Sequence, residues 1–338
     1  PPRSTLFPYT TLFRSKKSEI LSTINENGFC ILHGNAIEKI KKIPDNSIKL
    51  FYGSPPYPNA KRNYKTWKID NYIDEISPFI QNALPKLTDD GFIVINVKAN
   101  RTNPKSNDES SERSLIIEEL MLHMKKELRL YCVDIEIWIK SNPVPTGVRV
   151  ACQDAYEYNL WFSKSSKWQI NIDPIRREYS DSSLKTYQNT TFKPRKNGLQ
   201  YVSKEKKITP NELGALPLNI SNNEMSNLVF NLLPSDFRND IINLNSNIVY
   251  GAVSGRSEDH QAVQPEYLPE KYILACTQEN DIVLDPWVGS GTTGKVALKL
   301  KRKFIGIDIS KEFSELATRN INQVKNEKVE KCEVDIDA

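Results

Sequence analysis

Ser54-Pro55-Pro56-Tyr57 follows directly on the apolar run Ile48 to Tyr52 and combines the groups needed to hold an exocyclic amino group. The two prolines remove two backbone donors and stiffen the chain, which leaves carbonyl oxygens and the Ser54 hydroxyl facing a guest. Tyr57 adds a flat ring. A nucleobase turned out of its stack needs an aromatic platform and acceptors for its Watson–Crick edge, and this tetrad offers both. Taken alone, Ser-Pro-Pro reads equally well as a rigid turn after a strand.

A second stretch, from Asp281 to Thr293, reads as a buried strand closed by Asp285 and Pro286, a glycine turn and a helix start. Gly289 and Gly291 let the backbone approach a ligand closely, and the free amides of a helix opening at Thr292 and Thr293 add a polar lip. The next apolar run, Lys303 to Ile307, ends at Asp308, at the spacing where a carboxylate accepts from both hydroxyls of a ribose. This is the make-up of a nucleoside pocket. Gly289 through Lys295 also fits a phosphate-binding loop up to its lysine, but Val296 stands where that loop needs a serine or threonine for magnesium.

Together these residues resemble the S-adenosylmethionine-dependent DNA amino-methyltransferases, in the group whose catalytic tetrad precedes the cofactor glycines. The resemblance implies an α/β Rossmann-like methyltransferase fold, with a seven-stranded, mostly parallel sheet, permuted motif order and an inserted target-recognition region. It implies S-adenosylmethionine as cofactor, double-stranded DNA as substrate and a cognate restriction endonuclease as companion. Ser54, Pro55, Pro56 and Tyr57 become the catalytic residues. Asp285, Pro286, Gly289, Gly291, Thr292, Thr293 and Asp308 become cofactor ligands. Gly34-Asn35-Ala36 is similar to the segment that touches the cofactor adenine, with Asn35 where an aspartate is commoner. His260 through Pro265 is similar to the segment that closes over the methionine end. Trp287 replaces the more usual phenylalanine after Asp-Pro. Ile137 to Pro143, Arg149 and Glu157 to Phe162 are similar to a strand pair beyond the active site.

The elements that must position these groups are also legible. Seven β-rich runs stand at Phe29 to His33, Ile48 to Tyr52, Phe92 to Val97, Asp134 to Trp138, Glu157 to Phe162, Ile282 to Leu284 and Phe304 to Ile307. Apolar residues at helical spacing predict helices over Asn71 to Leu87, Glu112 to Leu128, Glu266 to Thr277, Thr292 to Lys301 and Lys311 to Val324. Strands alternating with helices give a parallel sheet covered on both faces, whose ligands sit beyond the carboxyl ends of the strands at the switch in strand order. The expected organisation is a catalytic half over 16–170, an inserted region over 171–240, a cofactor half over 241–330 and a tail over 331–338. Pro1 through Ser15 matches without interruption the conceptual translation of a sequencing-library adaptor, and is expected to be no part of the natural protein. Removing its Arg3 and Arg14 takes the net charge from +4 to +2.

That charge is too small to establish nucleic-acid binding alone, so location matters more than total. Lys98 to Arg113 is polar and loop-like. Arg176 to Lys207 carries nine basic residues (Arg176, Arg177, Lys185, Lys193, Arg195, Lys196, Lys204, Lys206 and Lys207) against Glu178, Asp181 and Glu205, a local excess of +6. Tyr179, Tyr187, Phe192 and Tyr201 are interleaved with them, a mixture suited to phosphate contact with base or sugar packing. A solvated basic loop is the plainer reading, and the family resemblance places target recognition here.

Other chemistries fit poorly. Five scattered cysteines without a Cys-x-x-Cys pair suggest reduced thiols in a cytoplasmic protein and no structural zinc, and His33, His123 and His260 are too dispersed to suggest a metal site. None of Cys30, Cys132, Cys152, Cys276 or Cys332 follows a proline, as the nucleophile of cytosine carbon-five enzymes does. The His-x-Glu and Pro-Cys-x-x-Cys signature of zinc deaminases is missing. Membrane spans and secretory signals are not expected, because the apolar runs have strand length. The reading is amino methylation, with cytosine N4 favoured because Ser54 replaces the aspartate common among adenine enzymes. Adenine N6 methylation on the same scaffold stays open, as does a nucleic-acid-binding protein that keeps the fold without transferring methyl groups.

Overall fold

The computed structural model describes residues 19–58, 67–100, 112–139, 156–180, 183–185, 187, 210–218, 220–221 and 264–334. Residues 1–15, Arg149, Lys193, Arg195, Lys196, Lys204, Lys206, Lys207 and His260 lie outside these residues.

All seven expected runs form strands: β1 (Phe29–His33), β2 (Ile48–Gly53), β3 (Leu87–Val97), β4 (Tyr131–Ile139), β5 (Tyr156–Ser163), β7 (Ile282–Asp285) and β8 (Lys303–Asp308). A further strand, β6 (Ile220–Ser221), pairs with Ile137 and Trp138 and adds an eighth member at the edge. Two residues are too few to display a period, so β6 left no mark in the sequence. The sheet order is β1-β8-β7-β2-β3-β5-β4-β6. Among the described strands, only β5 runs antiparallel to its neighbours. β2 therefore lies between β3, which follows it in the chain, and β7, which comes from the opposite end.

Helices cover both faces. On one side residues 19–27 form α1, followed by α2 (Ala36–Ile40), α3 (Tyr72–Ala83) and α4 (Ile116–Lys126). Ile24, Ile40, Ile76, Ile80, Ile117 and Leu120 pack there against Phe51, Ile93, Ile95 and Leu284. On the other side α5 (Tyr267–Cys276), α6 (Thr292–Lys299) and α7 (Lys311–Val334) bring Tyr272, Ile273, Ala297, Ala317 and Ile321 against Leu50, Val94, Val283 and Phe304. A register shift between Ile48 and Leu50 puts these two residues on opposite faces, although their spacing alone would put them on the same one. Among the described residues, no helix is long and apolar enough to cross a membrane.

Boundaries differ from expectation for local reasons. β3 starts at Leu87 rather than Phe92, through the polar stretch Thr88-Asp89-Asp90, because Leu87 pairs with Ile48 and Lys49 holds Asp90 at 2.5 Å. Tertiary contact overrides poor strand propensity there. α3 stops at Ala83, since Pro85 lacks the amide a continuing ladder needs. α2 is too short for a period, but Asn35 caps it by accepting from the Ile37 amide at 2.9 Å.

The core of the central strands should be costly to open. Leu284→Ala removes a fully buried side chain beside Phe51 and should lower unfolding free energy by about 2–5 kcal/mol, read as a reduced urea midpoint at an unchanged slope.

Candidate active site

The chain leaves β2 in one direction, through α3 to β3, and leaves β7 in the other, through α6 to β8. Their adjacent carboxyl ends form the switch point where open α/β sheets bind ligands. Parallel pairing matches Phe51 to Leu284, which sets the tetrad after β2 beside the turn after β7. Gly53 makes the approach possible. A Cβ there would stand 2.9 Å from Trp287 Cε3 and 3.0 Å from Asp285 Oδ1. Trp287 is wedged against Phe51 (5.8 Å between ring centroids) and Phe79 (5.0 Å), a packing job that a phenylalanine's smaller ring would fill less completely.

The predicted cofactor residues are largely brought together. Asp285 is buried and accepts from the Thr293 hydroxyl at 2.7 Å and the Trp287 amide at 3.0 Å. Asp308 ends β8 and accepts from the amides of Gly289 (3.0 Å) and Ser310 (2.9 Å), so one carboxylate ties the glycine turn to the neighbouring strand. Gly289 and Gly291 both have positive φ, at 51° and 87°. A Cβ on Gly291 would meet Ala317 of α7 at 3.0 Å, so this glycine serves close helix packing as well as the turn. Pro286 is buried and Thr292 opens α6. Asn35 is exposed, with its Oδ1 engaged in the cap of α2. Lys295, the lysine of the rejected phosphate-loop reading, lies 3.2 Å from Glu266 in an ion pair.

The tetrad opens onto a buried polar network. Ser54 Oγ lies 3.3 Å from both Tyr57 Oη and Asn96 Oδ1. The Tyr57 hydroxyl lies 2.9 Å from Asn96 Oδ1 and 2.6 Å from Glu157 Oε2, and the carboxylate is the stronger claimant on its single proton. Gln264 Nε2 also donates to Asn96 Oδ1 at 2.9 Å, while Gln264 Oε1 accepts from Tyr52 at 3.1 Å. Asn96 Nδ2 donates to Asn159 Oδ1 at 2.9 Å, which fixes the Asn96 amide with its oxygen toward the tetrad. Asn96, Glu157 and Asn159 are fully buried. Burial, followed by the Glu157 charge, pushes the Tyr57 phenol well above its usual range.

Sequence reasoning missed this second layer. Cross-strand register matches Asn96 and Glu136 to Asn159, and Trp138 to Glu157, so all five share one face. The available signal was the set of polar residues at alternate positions inside otherwise apolar strands. Glu136 pairs with Lys271, whose ammonium also donates to the Leu218 carbonyl at 3.0 Å; burial nevertheless raises the Glu136 carboxyl above its ordinary range.

Of the predicted DNA-contacting residues, Arg176 and Arg177 are described. Arg176 bonds Asp173 at 2.7 Å and the Gly214 carbonyl at 3.1 Å, and Arg177 Nε reaches the Leu216 carbonyl at 3.1 Å. Both guanidinium groups thus join residues 173–177 to 210–218. Lys193, Arg195, Lys196, Lys204, Lys206, Lys207 and the predicted cofactor residue His260 fall outside the described residues.

A family model for N6/N4 methyltransferases, described as DNA methylase, matches residues 48–319, from the start of β2 into α7. The chain belongs to this DNA methylase family. It is 25% identical over 287 residues to the type II methyltransferase M.BglII of Bacillus subtilis, covering 85% of this chain and 67% of that one. It is 27% identical over 297 residues to the DNA adenine methyltransferase YhdJ of Escherichia coli strain K12 (86% and 82%). The fold of the cytosine-N4-specific PvuII DNA methyltransferase matches with a TM-score of 0.57 at 18% identity (88% and 91%). A Thermus thermophilus protein complexed with S-adenosyl-L-methionine matches with 0.52 at 17% (87% and 93%).

Asp285 gives the methylase a pH signature. Burial raises its carboxyl from 3.8 to about 7, aided by the Asp308 charge and opposed by the bonds from Thr293 and Trp287. The folded state holds this proton more tightly than the unfolded chain, so the stability it contributes is full below about pH 4 and is lost as pH rises toward about 7. Asp285→Asn should remove that slope, so wild type loses up to about 4 kcal/mol relative to the variant across this window. Urea titrations of both proteins at each pH measure the difference.

Proposed function

We propose that the protein transfers a methyl group from S-adenosylmethionine to the exocyclic N4 amine of a cytosine flipped out of double-stranded DNA. The observation that carries this reading is Ser54, a neutral hydroxyl at the head of the tetrad, 3.3 Å from two further oxygens and beside the Asp285 turn. It can accept from the amino group and donate to the adjacent ring nitrogen, as cytosine requires. The fold shared with a cytosine-N4-specific enzyme supports the choice. The similarity to an adenine enzyme makes adenine N6 the second reading, since adenine also sets an amine beside a ring acceptor.

The ends of β7 and β8, where Asp308 faces the Gly289 turn, suit the adenosine of the cofactor. A carboxylate offers about four acceptor positions, so Asp308 can serve the ribose hydroxyls alongside the amides of Gly289 and Ser310. The positive-φ turn at Gly289 carries no side chain into the space. Bound there, S-adenosylmethionine supplies an electrophilic methyl on a sulfonium, whose carbon–sulfur electron pair stays with sulfur as the nitrogen–carbon bond forms. The rest is positioning. Flipping costs a few kcal/mol, offset by stacking on Tyr57 and by bonds from the amino hydrogens to Ser54 and a proline carbonyl. Those bonds draw the nitrogen out of conjugation with the ring, so that its lone pair points at the methyl.

The 171–240 region suits the role of target-recognition insert, with Lys193, Arg195, Lys196, Lys204, Lys206 and Lys207 as phosphate contacts. Type II relatives support a restriction–modification setting with a cognate endonuclease.

Asp308→Ala should weaken S-adenosylmethionine binding by about 1.5–3 kcal/mol, as expected for bonds to a charged group. Isothermal calorimetry gives the value, and unchanged affinity would remove Asp308 from the site. Nucleoside mass spectrometry of DNA treated with the purified protein should reveal 4-methylcytosine. Ser54→Ala should lose most turnover, and Tyr57→Ala still more. Finding 6-methyladenine alone would replace cytosine by adenine, and full activity in both variants would remove the tetrad from the chemistry.

A further inference from the structure

An alkylated exocyclic nitrogen carries a positive charge and must lose a proton before the product leaves. The tetrad itself offers no base strong enough to keep that proton. The Ser54 hydroxyl is neutral, and the buried Tyr57 phenol resists becoming a phenolate. Asn96 receives bonds from several directions, but its amide oxygen cannot retain a proton at ordinary pH. Among the described groups bonded to Ser54 or Tyr57, Glu157 is the carboxylate, the group whose oxygen can take up a proton. It sits fully buried on β5, with Oε2 2.6 Å from the Tyr57 hydroxyl, which in turn is 3.3 Å from Ser54 Oγ.

We propose that Glu157 is the terminal proton acceptor of the methyl-transfer reaction, reached through a relay from the amine to Ser54, Tyr57 and then Glu157. This rests on the reading of the tetrad as the amine site and is independent of whether the base is cytosine or adenine. In the step itself the nitrogen–hydrogen bond breaks and its electron pair stays on nitrogen. Ser54 Oγ takes the proton and passes its own to Tyr57 Oη, which passes its own to Glu157 Oε2. The base and the carboxyl both end neutral, and the two hydroxyls are regenerated. After the product departs, the proton returns along the same chain to solvent. Before reaction the Ser54 proton faces the ring nitrogen of the base, and after methyl transfer it turns to Tyr57 Oη, 3.3 Å away, which opens the chain.

A purely structural role for Glu157 makes a different prediction, because a glutamine oxygen would accept from Tyr57 equally well. The test is single-turnover methylation of unmodified plasmid DNA, with enzyme in excess and a radiolabelled methyl donor. Glu157→Gln should be slowed by roughly 100-fold or more, the usual worth of a positioned base, with cofactor affinity and melting temperature kept. Tyr57→Phe keeps the ring and breaks the relay, and should be slowed to a similar degree. The double variant should be no more than about threefold slower than either single one, since both remove one unit. Glu157→Asp should recover at least about tenfold over Glu157→Gln.

Glu157→Gln within about threefold of wild type, while Ser54→Ala and Tyr57→Ala are inactive, overturns the relay and leaves the tetrad as the amine site. Full rates in Ser54→Ala, Tyr57→Phe and Glu157→Gln together overturn the tetrad reading and the relay with it. Should Glu157→Gln fail to fold, Tyr57→Phe decides, and a wild-type rate in that variant refutes the proposal.

Discussion

The pairing of β2 with β7 is the contact on which the rest of the molecule depends. It matches Phe51 to Leu284 and so fixes where the tetrad stands relative to the glycine turn after β7, with Gly53 admitting Asp285 and Trp287 to within 3.0 Å of where its own side chain would begin. A larger residue at 53 would push the two strand ends apart, at the point where the proposed reaction brings methyl donor and amine together. The positioning that the proposed displacement needs is thus set by backbone ladders and a missing side chain rather than by a loop.

Around that contact the protein keeps two kinds of polar order. Around the glycine turn, the carboxylates of Asp285 and Asp308 accept from three backbone amides and one threonine, which ties the turn to its neighbouring strand. On the tetrad side hydroxyls, amides and Glu157 bond one another across three strands and the residues leading into α5. Burying such a network is costly where a member lacks a partner, as Asn159 Nδ2 does among the described residues, and its partnered members hold a defined geometry. At the seam between the two, Trp287 Nε1 is buried without a hydrogen-bond partner among the described residues, which marks where close ring packing has been favoured over complete satisfaction.

Much of this was legible in the sequence, for identifiable reasons. The seven strands announced themselves because β-branched and aromatic residues run together in short stretches, and the two motifs because proline and glycine have few alternative uses. Glu157 and Asn96 were hidden. Each lies inside a run read correctly as a strand, but its significance depends on which residues of distant strands stand opposite, and register is a tertiary fact. The spacing of Asp308 suggests a ribose acceptor, whereas its tethering of the Gly289 amide needed the fold to become visible. Arg176 and Arg177 likewise read as part of a basic surface, whereas their guanidinium groups are bonded to carbonyls of residues 214 and 216.

The permuted order also has a consequence for synthesis. β2 emerges from the ribosome early and acquires β3 soon after, but its other flank is covered only when Ile282–Asp285 appears near the far end of the chain. Until then a hydrophobic strand presents an open row of hydrogen-bonding groups, the kind of edge that other nascent chains can join. The strand leading into the Ser54–Tyr57 tetrad is therefore open on one flank for most of synthesis, as β1 is until the still later β8 appears, and a chain cut short before β7 would leave that flank exposed permanently.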